Sequence, residues 1–333
     1  MSRARAVARF ALRLAIGAAL LALVLHRQGS ALADVAARLR QMPPWAFALA
    51  FAVDLAGQSL CAVRWAALLA MTGPAPLRAV WATQLRGMFF SVCLPTSIGG
   101  DVYRGFAAAR PPRTASDAAT SVLLDRDLGL GPLLVVGIAT ALASGTSIAL
   151  RVGGRAVDLP AWSPLAAVLV AYLAANAALF GPAVAFPRAL AKVEALRASF
   201  RRFREPDARG ALLRAVAISL VYQLSEGVLV FTLARGLGLA SSYAAVFTFM
   251  ALQAVAGVLP LSINNLGVRE AVAVAVLARG GGGASAPDAV ALSLAWLGVI
   301  LTTGAASGLV YLLGPAPLDG KHRSITERHA QVE

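Results

Sequence analysis

Long apolar stretches separated by short polar segments dominate the chain, and they predict membrane-spanning helices. Six of them reach or approach the ~20 residues that an α-helix needs to cross the hydrocarbon of a bilayer. No clear small-residue cleavage site follows the first stretch and more spans come later, so we interpret it as a retained helix and not a signal sequence. The six predicted spans lie at about residues 10–26, 45–71, 127–145, 163–184, 211–235 and 288–313.

Two further apolar segments are interrupted by Pro and Gly, and each predicts a re-entrant hairpin. The first runs from residue 79 to about Ala109, and the second from Tyr243 to Ala278. Their arms are short for a full crossing, and irregular backbone at membrane depth survives only inside protein or beside a watery cavity. The residues that we assign to the hairpin turns are Pro95, Gly99, Gly100, Pro260, Asn264 and Gly267.

The two broken segments repeat one motif. Both contain the pattern L-P-x-S-I, at residues 94–98 and 259–263, and both place an arginine nine positions after the proline. Each half of the chain then follows the order span, span, hairpin, span, and an odd number of crossings per half inverts the second half relative to the first. Inverted repeats with broken helices are a recurring transporter design. We therefore predict an all-α integral membrane protein of six spans and two hairpins. These elements form one domain over residues 1–320, with inverted repeats at about 10–145 and 163–313. A polar cytoplasmic tail follows at 321–333.

Composition supports a membrane protein and argues against a nucleic-acid partner. Of the 333 residues 59% are hydrophobic and 14% charged, whereas soluble domains carry about 25% charged residues. The net charge of +14 comes with no basic helix or aromatic–basic module, so no nucleic acid is expected. Arginines mostly flank the apolar stretches. By the positive-inside rule the basic segment at 185–210 is expected in the cytoplasm, and six crossings then put both termini in the cytoplasm as well.

The chain offers little that predicts an enzyme. Cys61 and Cys93 lie in or beside apolar stretches, and the three histidines lie outside the two hairpins, so we expect no metal site and no cofactor. We find no Ser/His/Asp or Cys/His arrangement and no phosphate-binding Walker loop. Catalysis is therefore the less favoured interpretation.

Ionisable side chains inside membrane segments are costly, and they usually pair or mark a pathway. Arginine suits a lipid phosphate, and helix N-termini behind the hairpin breaks also favour anions. A central cavity that binds an anionic group is one interpretation, and buried ion pairs that pin the hairpins are the other. Glu226 and Glu270 are the candidates for coupling transport to protons, and Glu226 is the one assigned to that role alone. The candidate substrate-binding residues are Asp101, Arg104, Asp125, Arg126, Arg269 and Glu270.

Three motifs together resemble a known family. L-P-x-x-x-G-G-D-x-x-R at residues 94–104, D-R-x-x-G at 125–129 and G-x-R-E at 267–270 are similar to the flippase-like membrane domain of lysylphosphatidylglycerol synthases. The resemblance covers residues 10–313, and it implies a role in the bacterial cytoplasmic (inner) membrane in moving a lipid or lipid-linked head group between leaflets. Bifunctional members carry a soluble aminoacyltransferase domain after the membrane part. This chain ends in a short tail, so we expect no lysyl transfer.

The leading hypothesis is a flippase-like transporter for an anionic phospholipid or glycolipid. Two alternatives remain open. A membrane-embedded transferase on a lipid-linked substrate would use Asp101, Asp125 or Glu270 as a base, and turnover with a pH–rate profile would reveal it. A non-transporting subunit would bind an enzyme of lipid or glycolipid synthesis, and co-purification would reveal that partner.

Overall fold

The computed structural model describes residues 19, 22–23, 26, 32–93, 99–152, 155–180, 208–257 and 265–313. Within these ranges the chain forms ten α-helices, one π-helical turn and two short strands. Most of the predicted first span lies outside the described residues, as do Pro95, Pro260, Asn264, the basic segment at 185–207 and the tail. The helices are α1 (Leu32–Gln41), α2 (Pro44–Leu69), α3 (Leu77–Cys93), α4 (Gly99–Ala108), α5 (Ala115–Ser144), α6 (Trp162–Phe180), α7 (Ala208–Gly236), α8 (Tyr243–Ala256), α9 (Val268–Ala273) and α10 (Ala286–Leu313).

Four of the described helices are long and apolar enough to cross a membrane, and they are α2, α5, α7 and α10. Helices α6 and α8 are shorter and also apolar. Apart from one two-stranded sheet, the described residues outside helices are turns and connections. The predicted class of an all-α, multi-pass membrane protein is therefore confirmed.

Helix α5 begins earlier than the apolar pattern predicts. The Thr114 hydroxyl accepts a hydrogen bond from the Asp117 backbone N–H at 3.1 Å, and the Asp117 carboxylate accepts one from the Thr114 N–H at 3.3 Å. This capping box starts the helix at Ala115, so the predicted start at residue 127 was wrong. As a result, Asp125 and Arg126 lie within the helix and project from it at fixed positions.

The segment between α5 and α6 contains two short paired strands, which the pattern of apolar stretches does not predict. Strand β1 (Ser147–Val152) pairs antiparallel with β2 (Arg155–Pro160), from Ser147 opposite Pro160 to Val152 opposite Arg155. The sequence has Gly-Gly at positions 153–154, between the two strands, and Gly-Gly is typical of two-residue hairpin connections. The Ser147 N–H also donates to the Gly280 carbonyl at 2.9 Å, which ties the hairpin to the segment between α9 and α10.

Both predicted broken segments are helix–break–helix units. Helix α3 packs against α4, and α8 packs against α9 and the π-helical turn Val274–Ala278. The first pair approaches closely because position 100 is glycine: a Cβ there would collide with the Ser91 hydroxyl and the Gly87 carbonyl. Gly267 takes φ 84° before α9, a conformation that other residues seldom adopt.

The packing of the helices repeats when the two halves are exchanged. Helix α3 packs on α10, and α8 packs on α5 in the same way. Helices α2 and α7 face each other and run antiparallel, because Ala46 of α2 lies beside Gly236 of α7, whereas Leu68 lies beside Ala215. Opposite directions for the two corresponding helices are what inverted halves require. The exact limits of the two repeats remain a prediction.

Candidate functional site

The polar centre of the molecule is an ion cluster assembled from α2, α4 and α5. The Asp125 carboxylate accepts one hydrogen bond from Arg64 Nε at 2.7 Å and another from Arg104 Nη2 at 2.6 Å. Arg64 also donates through Nη1 to the Ser219 hydroxyl of α7 at 2.9 Å. All three charged side chains are buried, so both oxygens of Asp125 are satisfied by arginines away from bulk water.

A second aspartate extends this cluster to the surface. Asp101 Oδ1 lies 3.5 Å from Arg104 Nη1, and Asp101 Oδ2 accepts a hydrogen bond from Arg126 Nε at 2.8 Å. The Arg126 side chain is 60% exposed, whereas its partner is largely covered. The Arg104 guanidinium lies over the Trp65 ring, 4.2 Å from its centroid, which fixes the arginine by a cation–π contact.

The charges of this central cluster do not cancel. Three arginines face two aspartates, which leaves one positive charge in a site between apolar helices. The most exposed member is an arginine, whose planar fork matches phosphate and carboxylate groups. The arrangement can therefore attract an anionic group at Arg126 while the buried arginines remain held by Asp125. We define the central cluster as Arg64, Asp101, Arg104, Asp125 and Arg126.

The second hairpin carries its own buried pair. Arg269 Nε lies 3.7 Å from Glu270 Oε1, and the Arg269 guanidinium lies 5.6 Å from the centroid of the Trp296 ring. Glu270 accepts hydrogen bonds from the Ser293 hydroxyl at 2.8 Å and from the Gly267 N–H at the start of α9. This acid therefore closes the turn and joins α9 to α10.

A chain of polar side chains runs between α2, α3 and α10. Gln84 Nε2 donates to Gln58 Oε1 at 3.2 Å, and Gln58 Nε2 donates to Asp54 Oδ1 at 3.3 Å. The Thr303 hydroxyl donates to Asp54 Oδ2 at 2.6 Å. The i, i+4 spacing of Asp54 and Gln58 puts them on one face of α2, where they interact.

Outside the spans, Arg113 ties the connections between helices together. Its Nη2 donates to the carbonyls of Leu69, Gly73 and Pro74 at 2.9–3.3 Å, and its Nε donates to the Thr72 hydroxyl at 2.9 Å. Burial lowers the pKa of the Arg113 guanidinium, because the charged form loses water. The carbonyl groups compensate for this loss, so Arg113 fixes the end of α2 beside the start of α5.

The structure brings four of the six predicted substrate-binding residues together: Asp101, Arg104, Asp125 and Arg126. Arg269 and Glu270 form the separate pair described above. Glu226 lies between α2 and α7, and Gly99, Gly100 and Gly267 lie at the hairpin breaks.

Arg64 and Ser219 are the site residues that the sequence analysis missed. Arg64 carries a signal that could have found it, because a charged residue within an apolar span needs a partner. Ser219 carries no such signal, since serine is common at contacts between membrane helices.

The cluster is made of arginine–carboxylate pairs and has no metal-ligand geometry. Among the residues that the structure describes, no group of three or more His, Cys, Asp or Glu side chains could hold a metal ion. Its acids are bound by guanidinium groups, which would compete with a cation for the same oxygens. The charge of the site therefore suits an anion.

Fold and site together define the class: a multi-pass α-helical membrane protein with broken helices and a charged cluster between its spans. The chain belongs to the family described as the lysylphosphatidylglycerol synthase TM region, whose profile matches residues 10–308. That match extends over nearly all of the 333 residues and includes both hairpins and the central cluster. No curated protein matches the chain at a significant level.

Proposed function

We propose that this protein moves an anionic lipid, or the anionic head group of a lipid-linked molecule, between the leaflets of the bacterial cytoplasmic (inner) membrane. The observation that carries the proposal is the excess positive charge of the central cluster, with the partly exposed Arg126 as its outermost arginine. The head group would bind at the cluster while the acyl chains stay in the bilayer. The two hairpins, which have glycines at their breaks, would rearrange to expose the cluster to each side in turn.

Membership of the family supports a lipid-related role without naming the lipid. The excess positive charge of the central cluster favours a head group that is negatively charged. A neutral or cationic head group would gain nothing from a site that is already positive, whereas a phosphate would complete its charge balance. Phosphatidylglycerol and anionic glycolipids are therefore the first substrates to test.

The test is lipid movement in proteoliposomes that carry labelled phosphatidylglycerol or labelled phosphatidylcholine. Arg126→Gln removes the exposed positive charge and leaves Asp101 in contact with Arg104, so the variant should still fold. We expect it to slow movement of the anionic lipid at least roughly tenfold, the effect of losing one charge-assisted contact of ~1.5 kcal/mol.

Arg214→Gln is the matched control. Arg214 is also an exposed arginine on a spanning helix, but its Nε donates to the Gly210 carbonyl of its own helix. Its loss should leave the movement of phosphatidylglycerol unchanged. Equal rates for the wild type and Arg126→Gln would refute the role of the cluster, and no movement of any anionic lipid by the wild type would refute the function.

A further inference from the structure

Glu226 is a buried acid whose surroundings do not support a negative charge. Its side chain is 8% exposed where α7 packs against α2, and no residue in the described part of the chain donates a hydrogen bond to its Oε1. The backbone of α2 lies directly against it, since a Cβ on Gly57 would come within 3.2 Å of that oxygen. Arg64, two turns further along α2, is bound to Asp125 and Ser219 instead. An ionised carboxylate is strongly disfavoured in such a place, and a neutral carboxylic acid is not.

A second acid on the facing helix strengthens this assignment. Asp54 is also buried, but two donors, Thr303 and Gln58, bind its carboxylate oxygens. Asp54 lies one turn before Gly57, the residue of α2 against which Glu226 packs, so a charge on Asp54 would repel a charge on Glu226. When two neighbouring acids differ in this way, the one with donors carries the charge and the one without carries the proton. The proton therefore belongs on Glu226.

The central cluster lies within electrostatic reach of this acid. Ser219, which binds Arg64, is seven residues before Glu226 on α7, so about 10 Å separates them along the helix axis. The cluster carries one excess positive charge when Glu226 is neutral. If Glu226 were ionised, its negative charge would cancel that excess. The protonation of Glu226 thus changes the affinity of the cluster for an anion.

The geometry points to Glu226 as a proton-binding site whose loading is coupled to capture of the anionic lipid in the central cluster. This inference rests on the proposed function and adds a driving force to it. A proton from water on the more acidic side binds the carboxylate, the positive excess is restored, and the anion binds more tightly. Loss of the proton to the less acidic side restores the carboxylate and releases the lipid there. Because Glu226 already holds its proton at neutral pH, a release side that is more alkaline than the loading side favours transport.

Other titratable groups surround Glu226, and the experiment has to separate its proton from theirs. Tyr222 lies one turn away on the same helix. The titratable groups on the helices packed against α7 that bear on this site are Asp54, Cys61 and Arg64 on α2, Asp125 and Arg126 on α5, Tyr243 on α8, and Asp288 and Tyr311 at the two ends of α10. Of the acids among them, Asp54, Asp125 and Asp288 each have a described donor or cation.

Infrared spectroscopy tests the proton site independently of transport. The purified protein at neutral pH should show the carbonyl stretch of a protonated carboxyl group, and Glu226→Gln should abolish it. Asp127→Asn is the matched control, because Asp127 is an acid in a spanning helix that accepts a hydrogen bond from Asn176 at 3.1 Å. That variant should retain the band. A band of unchanged size in Glu226→Gln would overturn the inference.

Transport in proteoliposomes tests the coupling. With a neutral loading side and an alkaline release side, the wild type and Asp127→Asn should move phosphatidylglycerol roughly tenfold faster than without a gradient, the effect of one charge about 10 Å away in a partly buried site. Glu226→Gln should move it at one rate with or without the gradient. Acceleration by a sodium gradient, or no response of the wild type to pH, would overturn the coupling. No movement at all in the wild type would refute the proposed function, and the infrared band would still decide the proton site.

Discussion

Replacing Asp125 with asparagine is the most direct test of the central cluster as a structural unit. Asp125 holds Arg64 through Oδ1 and Arg104 through Oδ2, and these are two charge-assisted bonds. Asparagine has the same shape but one acceptor, so its amide N–H groups would face one of the two arginines. The variant loses at least one such bond and leaves two buried arginines without their shared counter-ion. We expect a loss of about 3–5 kcal/mol in the free energy of unfolding, the usual cost of removing one partner of a buried ion pair.

The measurement is unfolding by a denaturing detergent in mixed micelles, followed by tryptophan fluorescence. Trp65 is a suitable reporter because Arg104 lies against its ring. A double-mutant cycle with Arg64→Met sharpens the test, since the combined variant no longer leaves Arg64 unpaired. The combined loss should be smaller than the sum of the single losses by more than about 1 kcal/mol. A loss below about 1 kcal/mol for Asp125→Asn, or strict additivity, would refute the reasoning.

Two further predictions concern the packing of the first hairpin and the hydrogen bonds of Arg113. Gly100→Ala should destabilise the protein by about 1–3 kcal/mol, because the added methyl group collides with α3. Gly105→Ala on the same helix meets open space and should be neutral or stabilising. Equal melting temperatures for the two variants would contradict the close packing at Gly100. Arg113→Lys should cost at least about 2 kcal/mol. The guanidinium donates to the Thr72 hydroxyl and to four backbone carbonyls, whereas an ammonium group has only three N–H donors. A melting temperature unchanged from the wild type would show that these contacts contribute little.

The sequence predicted the helical class and the hairpins well, because length and hydropathy decide both. An apolar stretch of some 20 residues has few alternatives to a spanning helix. Where the prediction failed, short-range chemistry outweighed hydropathy. The capping box at Thr114 extends α5 over polar residues, and residues 147–160, whose sequence holds the Gly-Gly pair typical of a two-residue hairpin connection, contain two paired strands. Both signals were present in the sequence, and both are local.

The site was harder to predict because its members come together only in three dimensions. Asp101 and Arg104 are three apart on one helix, so their contact follows from spacing. The contact of Arg64 with Asp125 joins residues 61 positions apart, and its contact with Ser219 spans 155. No periodicity specifies such pairs. Arg104 and Arg269 occupy the same position of the repeated motif. Of these two arginines, only Arg104 binds Asp125, because that contact depends on which helices face each other.

The position of Arg64 has a consequence for biosynthesis. Synthesis runs from the N-terminus, so α2 reaches the membrane before Asp125, 61 residues later, has been made. During that interval an arginine in the last two turns of an apolar helix has no carboxylate partner, at a cost below the ~2.5–3.5 kcal/mol of a charge at the helix centre. Only the arrival of α5 supplies the counter-ion, and Ser219 follows last. The first half of the protein therefore reaches its stable arrangement only after α5 has been inserted. A nascent chain that stalls before α5 keeps Arg64 in the membrane without a counter-ion.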